Sequence, residues 1–343
     1  MSSSGQYTYT VNTSVIGRQA LINTGKFGGT QFISPIHIND VNVKLNLLLR
    51  QWMAKQDMAQ GLKVWSRVNA DLFLSLTKHT YRLGPTTSDN WAAGVATGSV
   101  GQNFQQGQLT QALAVNGVSW NVGTANAALV TVGDYLVLEC DSGDIFSTTA
   151  TGVNTGTGIV TAAAGPPSTA ASGSYVWNYT TKGQRPLELS TCVLRDINNN
   201  DTPMDFMTLQ TYEMLPTKVQ SQYVSDPAAI WYQADSITET LNGVTGVNGS
   251  LRLDCGGEQD VTKHLNIWFL RPLQAFVNPT DTADVNEEWQ SALVWALTKE
   301  ICPMFNAGWT QNMQDSYAEA LSIARGTNPE RTELFFEPNA DHP

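Results

Sequence analysis

Charge is scarce in this sequence. Only 14% of its 343 residues are Asp, Glu, Lys or Arg, against about 25% in an ordinary soluble domain. Between Thr86 and Thr181 there is no Lys or Arg at all. Such a surface suits a protein covered by copies of itself or by partners, because a monomer kept in solution alone needs more charge outside. The net charge of −11 argues against a protein that grips DNA, since affinity for phosphate comes mainly from clustered Lys and Arg. It leaves room for a conduit through which double-stranded DNA passes without specific binding, its acidic or neutral wall repelling the backbone.

Other absences narrow the chemistry. The cysteines, Cys140, Cys192, Cys255 and Cys302, form no CxxC pair, which gives no zinc or thioredoxin-type motif and is read as four reduced thiols. No apolar run approaches the length of a membrane span. No basic stretch leads into an apolar one near Met1, so cytoplasmic synthesis without a secretory signal is expected. His37, His79, His264 and His342 are the only histidines, and none has the spacing of an HExxH site. There is no Gly-x-Ser-x-Gly elbow, and Gly25-Lys26 lacks the upstream glycine of a phosphate loop. Asp196, Asn198 and Asn200 copy the first calcium-loop ligands, but Asp201 stands where glycine is needed and Met207 where a bidentate Glu is needed. A polar turn is the better reading. Glu287 and Glu288 are adjacent and point about 100° apart on a helix, so they serve its dipole and not a carboxylate pair. No catalytic, cofactor-binding or metal-binding residue is therefore expected, and the chain reads as no enzyme. A carboxylate pair distant along the chain, as in a cell-wall hydrolase, stays open.

What is present begins with helices. Residues 13–24 carry Val15, Ile16, Leu21 and Ile22, with Gly25 as terminator. After Asp40, Val41, Leu45, Leu48 and Trp52 follow i, i+4, i+7, i+11 on one face, widened by Leu49 and Met53. Beyond Gly61 the period becomes two: Leu72, Leu74 and Leu76, then Tyr81 and Leu83, predict short antiparallel strands ending at Gly84-Pro85. The cation-free stretch predicts a small all-β domain of sandwich or barrel type. Its strands are placed at Leu113–Trp120, Tyr135–Cys140, Ile145–Ala150, Gly158–Ala162 and Tyr175–Tyr179. Its low-complexity parts, 149–158 and 162–173, read alternatively as loop. Further strands are expected at Ala229–Tyr232, Ser250–Asp254 and Leu265–Leu270, the last a central strand, with a short helix at Met204–Tyr212. Helices 284–302 and 310–326 close the pattern. The last segment, 327–343, is an extended tail whose Leu334, Phe335 and Phe336 either fold back on the chain's core or dock on a partner.

The fold class expected is α+β. A helical bundle built from N- and C-terminal helices with short antiparallel strands carries an inserted all-β domain. The parts are 1–90 and 185–326 for the core, 91–184 for the insertion and 327–343 for the tail. The ten tryptophans also invite a carbohydrate-binding reading, though Trp52, Trp289 and Trp295 lie in apolar helical patterns that suit core or interface.

Three stretches carry a resemblance. They are Val41 to Trp52 followed by Gly61-Leu62-Lys63-Val64-Trp65 and Tyr81-Arg82-Leu83-Gly84-Pro85; Val132-Gly133-Asp134-Tyr135 through Asp141-Ser142-Gly143-Asp144; and Asn286-Glu287-Glu288-Trp289-Gln290-Ser291-Ala292-Leu293. In order and spacing they resemble the head-to-tail adaptor (tail accessory) proteins of short-tailed and related tailed bacteriophages. The resemblance implies a structural virion protein of the tail or neck, assembled in the host cytoplasm as a dodecameric ring beneath the portal. The ring would extend the DNA channel and offer a platform to tail nozzle, tube or fibre proteins. It implies that the tail residues Leu334, Phe335 and Phe336 contact the portal. Leu45, Leu48, Trp52, Trp289, Leu293, Leu297, Tyr317 and Leu321 would be core or ring-packing residues. Alternatives are a tail-associated hydrolase, or a surface- or glycan-binding module formed by the β insertion.

Overall fold

A computed structural model of the chain describes residues 11–29, 32–54, 67–76, 78–86, 88–95, 103–216, 225–241, 244–255, 260–278, 280–282 and 284–326. The chain divides into two compact units, residues 1–66 with 273–343, and residues 67–272.

The first unit is helical. Helix α1 (Thr13–Asn23) starts at Asn12, whose side chain accepts a hydrogen bond from the Val15 N–H, which satisfies one of the helix's free donors. Helix α2 (Pro35–Ala54) opens on a proline, whose fixed φ and missing N–H suit a first turn. Helix α3 (Glu287–Ile301) has Glu287 and Glu288 in its first turn and Lys299 in its last, both favourable to the dipole. A 3-10 turn, Cys302–Phe305, follows, and then α4 (Gln311–Gly326). Ile16, Ala20 and Leu21 of α1, the Val41 face of α2 and Trp289, Leu293 and Leu297 of α3 form one core. Full burial of each large apolar side chain contributes about 1.5–3 kcal/mol. Asn46 fastens the 273–281 segment to α2: its amide donates to the Phe276 carbonyl at 2.9 Å and accepts from the Phe276 N–H at 2.9 Å.

The second unit is made of strands: β1 (Arg67–Phe73), β2 (Thr80–Leu83), β3 (Trp91–Val95), β4 (Gln105–Gln108), β5 (Ser119–Asn121), β6 (Tyr135–Glu139), β7 (Ile145–Asn154), β8 (Ile159–Ala162), β9 (Tyr175–Lys182), β10 (Glu188–Arg195), β11 (Asp201–Pro203), β12 (Asp205–Phe206), β13 (Ala229–Leu241), β14 (Val244–Leu253) and β15 (His264–Leu270). Eleven of them make one antiparallel sheet in the order β11-β10-β15-β1-β3-β9-β6-β7-β8-β5, with β4 also on β9. Its two ends are three-residue strands, one ending in Pro203, and short or proline-bearing edges resist edge-to-edge association. A four-stranded sheet, β12-β13-β14-β2, shares a core with β1, β10 and β15 through Tyr81, Leu83, Ile230 and Leu251 against Leu72, Leu194, Ile267 and Phe269. Residues 149–158 and 162–173, the alternative loops, take part in the β7–β8 hairpin and its neighbouring turns.

The expected helical bundle with a β insertion is therefore corrected: the chain is mostly β. The strands at 67–73, 188–195 and 264–270, assigned to the bundle, are the middle of the large sheet, seven register pairs joining β1 to β15. Period-two alternation shows which face of a strand is buried, but not which distant strand it pairs with. The division at 66/67 and 272/273 lies outside the 91–184 span read from composition. Leu113 is only a lone bridge to Ala170, where a strand to Trp120 was expected. Part of the 204–212 helix is instead the strand Asp205–Phe206, with the helix confined to Leu209–Glu213.

Candidate functional site

The eight residues expected to pack a core or a ring all face the helical unit's own interior. Leu45, Leu48, Trp52, Trp289, Leu293 and Leu297 are buried in it, and Tyr317 and Leu321 are half-buried against it. Trp52 and Trp289 meet edge to face with ring centroids 5.8 Å apart, a contact that adds about 0.5–1.5 kcal/mol to the burial itself. Lys299 lies over the Tyr317 ring at 5.8 Å. Leu334, Phe335 and Phe336 lie outside the described residues.

Assembly, if it uses α2, must use its other side. Ile36, Val43 and Leu47 are 71%, 53% and 52% exposed, and steps of seven and four place them on one stripe about opposite Val41, Leu45 and Trp52. The exposed Arg50 and half-buried Asp40 flank it. The wide apolar face in the sequence pointed to a helix buried along much of its girth, and this open outer stripe corrects that. The signal for the outer one is a second apolar series on the same helix, shifted by two residues from the first.

One arrangement in the β unit looks chemical. Asp71 of β1 and His264 of β15 are 1% and 3% exposed, and His264 Nε2 lies 3.6 Å from Asp71 Oδ1. That oxygen accepts from the Asn266 amide at 2.7 Å, while Oδ2 accepts from the Asn103 N–H and amide at 3.2 and 3.1 Å. Phe73 and Phe104 flank the imidazole at 6.1 and 5.0 Å between centroids. Burial pulls the His264 pKa below its usual value, with Asp71 opposing that shift. A general base must reach a substrate or nucleophile within about 3 Å. A pair walled in by two rings and two amides serves the interior instead. The outer neighbours Arg195 and Asp201 form a two-point ion pair at 2.6 and 2.9 Å, and the Arg195 fork holds the Asp201 carboxyl below its ordinary value. Between them Asp196 accepts from the Asn198 and Asn200 N–H groups, both at 2.8 Å. This is the polar turn expected there, with Asn199 at φ 64°.

The four cysteines are free and buried. Among the described residues no three His, Cys, Asp or Glu side chains gather as a metal site would require, and no helix is long and apolar enough to cross a membrane. A shallow, open groove runs along β4, lined by Gln106, Gln108, Thr110, Asn126 and Tyr175 among others. No protein-family model matches this chain, and no curated protein or solved structure does either.

Proposed function

We propose that the chain is a structural virion subunit that joins copies of itself through the outer face of α2 into a closed ring. In this reading the ring is a phage head-to-tail adaptor: it sits beneath the portal, continues the DNA channel without gripping DNA, and carries tail components. The observation that carries self-association is the stripe Ile36, Val43 and Leu47, apolar and open on a helix whose other side is already filled. Val15 on α1 and Ile323 on α4 are exposed as well, and a closed ring is the arrangement that covers such surfaces on every copy. Three side chains at roughly half exposure gain about 1 kcal/mol each on burial. Together they amount to about a hundredfold in association per contact. Association itself costs about 4 kcal/mol or more, so the stripe strengthens contacts between copies already gathered on a template and leaves the free chain monomeric. The portal and the tail rest on the resemblance of the Val41–Trp52 and Asn286–Leu293 stretches, and the low charge is in keeping with a covered surface.

The test is to mix purified chain with its cognate portal and follow sedimentation and electron-micrograph classes. Closed rings seated on portals are expected, and a Val43→Asp/Leu47→Asp variant with native circular dichroism is expected to form none. Truncation after Asn328 should leave a folded subunit that no longer stays on the portal. A compact monomer that never engages the portal at any concentration overturns the proposal.

A further inference from the structure

The cation-free stretch of the β unit holds the shallow groove along β4. Among the described strands β4 pairs with β9 alone, with Gln106 opposite Trp177 and Gln108 opposite Tyr175. Opposed residues in an antiparallel pair point to the same face, so both glutamine side chains share a face with Tyr175 and Trp177. The Tyr175 ring is stacked on buried Trp177, centroids 5.9 Å apart and planes 22° from parallel, which fixes its orientation. The Leu109 N–H donates to the Ser174 carbonyl. Hydrogen bonding alternates along such a strand, so the peptide groups of Gln106 and Gln108 turn outward from β9. On the other face a small recess with room for no more than about one water, lined by Val122, Leu129, Val176 and Asn178 among others, shares Gln106, Gly107 and Asn126 with the groove. The two meet at Gly107, where a Cβ would stand 2.7 Å from the Asn126 amide nitrogen. A glycine there lets the strand's backbone come up to that amide.

No Asp, Glu, Lys or Arg lines either cavity. An anionic ligand would find no counter-charge, and an apolar one would strand the amides. The Thr110 hydroxyl and the Asn126 amide already donate to Asn121 and to the Val122 carbonyl. The Gln106 and Gln108 amides, the outward peptide groups and one fixed aromatic ring therefore carry recognition, and they match a ligand rich in hydroxyls, uncharged, with an apolar ring face to lay against tyrosine. We infer that this groove binds a neutral oligosaccharide along the edge of β4 that no described strand pairs with. The inference stands on the β unit alone and does not depend on ring formation.

The test is saturation-transfer NMR on the full chain with neutral oligosaccharides, hexose and N-acetylhexosamine oligomers in parallel, a uronate oligomer as the anionic arm and an extended peptide as the alternative edge partner. Transfer to a neutral oligosaccharide is expected, unchanged between low and high salt because no ion pair is made. Gln108→Ala and Gln106→Ala, both on the accessible edge, should each weaken it about fivefold, the worth of one hydrogen bond, with native circular dichroism. Four results would each overturn the inference: no transfer from any neutral oligosaccharide, preference for the uronate, preference for the peptide, or undiminished transfer in the double variant.

Discussion

Replacing Asp71 by alanine tests whether the buried polar couple is a structural tie. The carboxyl group accepts from three donors, the Asn266 amide at 2.7 Å and the Asn103 N–H and amide at 3.2 and 3.1 Å. Each buried donor left without an acceptor costs about 1–3 kcal/mol. The Asn266 amide is deep in the sheet and takes the upper part of that range, while the Asn103 donors are only partly buried and take the lower. The loss is therefore about 4 kcal/mol, offset in part because a carboxyl group no longer has to be kept from water. Against the 5–15 kcal/mol that separates a typical domain from its unfolded state, this is a large fraction. Asp71→Asn keeps one accepting oxygen but turns an amide against the remaining donors, so about half the loss is expected. Urea unfolding followed by tryptophan fluorescence measures both. Asn266→Ala combined with Asp71→Ala should cost clearly less than the sum, with a coupling of about 1–3 kcal/mol. A loss below about 1 kcal/mol for Asp71→Ala, or strict additivity with Asn266→Ala, refutes the reasoning.

Further outcomes follow from other parts of the fold. His264 has its pKa lowered by burial, so the unfolded chain binds a proton there that the folded chain refuses. Stability from this site is whole above the ordinary value of 6.5 and declines as pH falls below it, and His79, shifted the same way by burial and by Arg252, adds to the slope. His264→Phe, which suits the ring cluster, should flatten the fall in melting temperature between pH 7.5 and 5.5; an unchanged slope counts against it. Gly158 sits at φ 73°, and a Cβ on it would lie 2.5 Å from the Gly123 carbonyl carbon. Gly158→Ala should cost about 3 kcal/mol or more in denaturant unfolding, since both strain and backbone collision must be relieved, and a cost below 1 kcal/mol would show that the hairpin yields easily. On α2, Leu45→Ala should lose about 2–5 kcal/mol, whereas Leu47→Ala on the open side should stay within about 0.5 kcal/mol. Equal losses would mean that the two faces are wrongly assigned.

Helices were more legible in the sequence than sheets. Val41, Leu45, Leu48 and Trp52 announced α2 because a 3.6-residue period is local, and Asn286 to Leu293 announced α3 for the same reason. Tyr135–Glu139, Ile159–Ala162 and His264–Leu270 were readable as strands, the last as a central one, from their apolar runs. Their partners were not, since β1 and β15 lie nearly two hundred residues apart and pairing leaves no trace in either run alone. The resulting shift of weight from helix to sheet is the main correction. The candidate groove escaped notice because it depends on Gln106, Gln108 and Asn126, amides that carry no motif and mean something only once β4 lies beside Tyr175. The buried Asp71 was invisible for a related reason: within Val68 to Phe73 it alternates like a solvent-facing polar residue, and only its neighbours Asn266 and Asn103 make burial tolerable.

The division of the chain also dictates an order of events during synthesis. Helices α1 and α2 leave the ribosome first, but Trp289 and Leu293, which cover them, lie beyond the whole of residues 67–272. At about 5–20 residues per second the interval is roughly 10–40 s. The β unit cannot close before β15 arrives to join β1, and the helices follow only after it. Throughout that wait Leu45, Leu48 and Trp52 stand bare, a natural client for a chaperone that holds apolar helices. Chains ended after Pro272 and released from the ribosome should therefore present a finished sheet and an unfinished pair of helices.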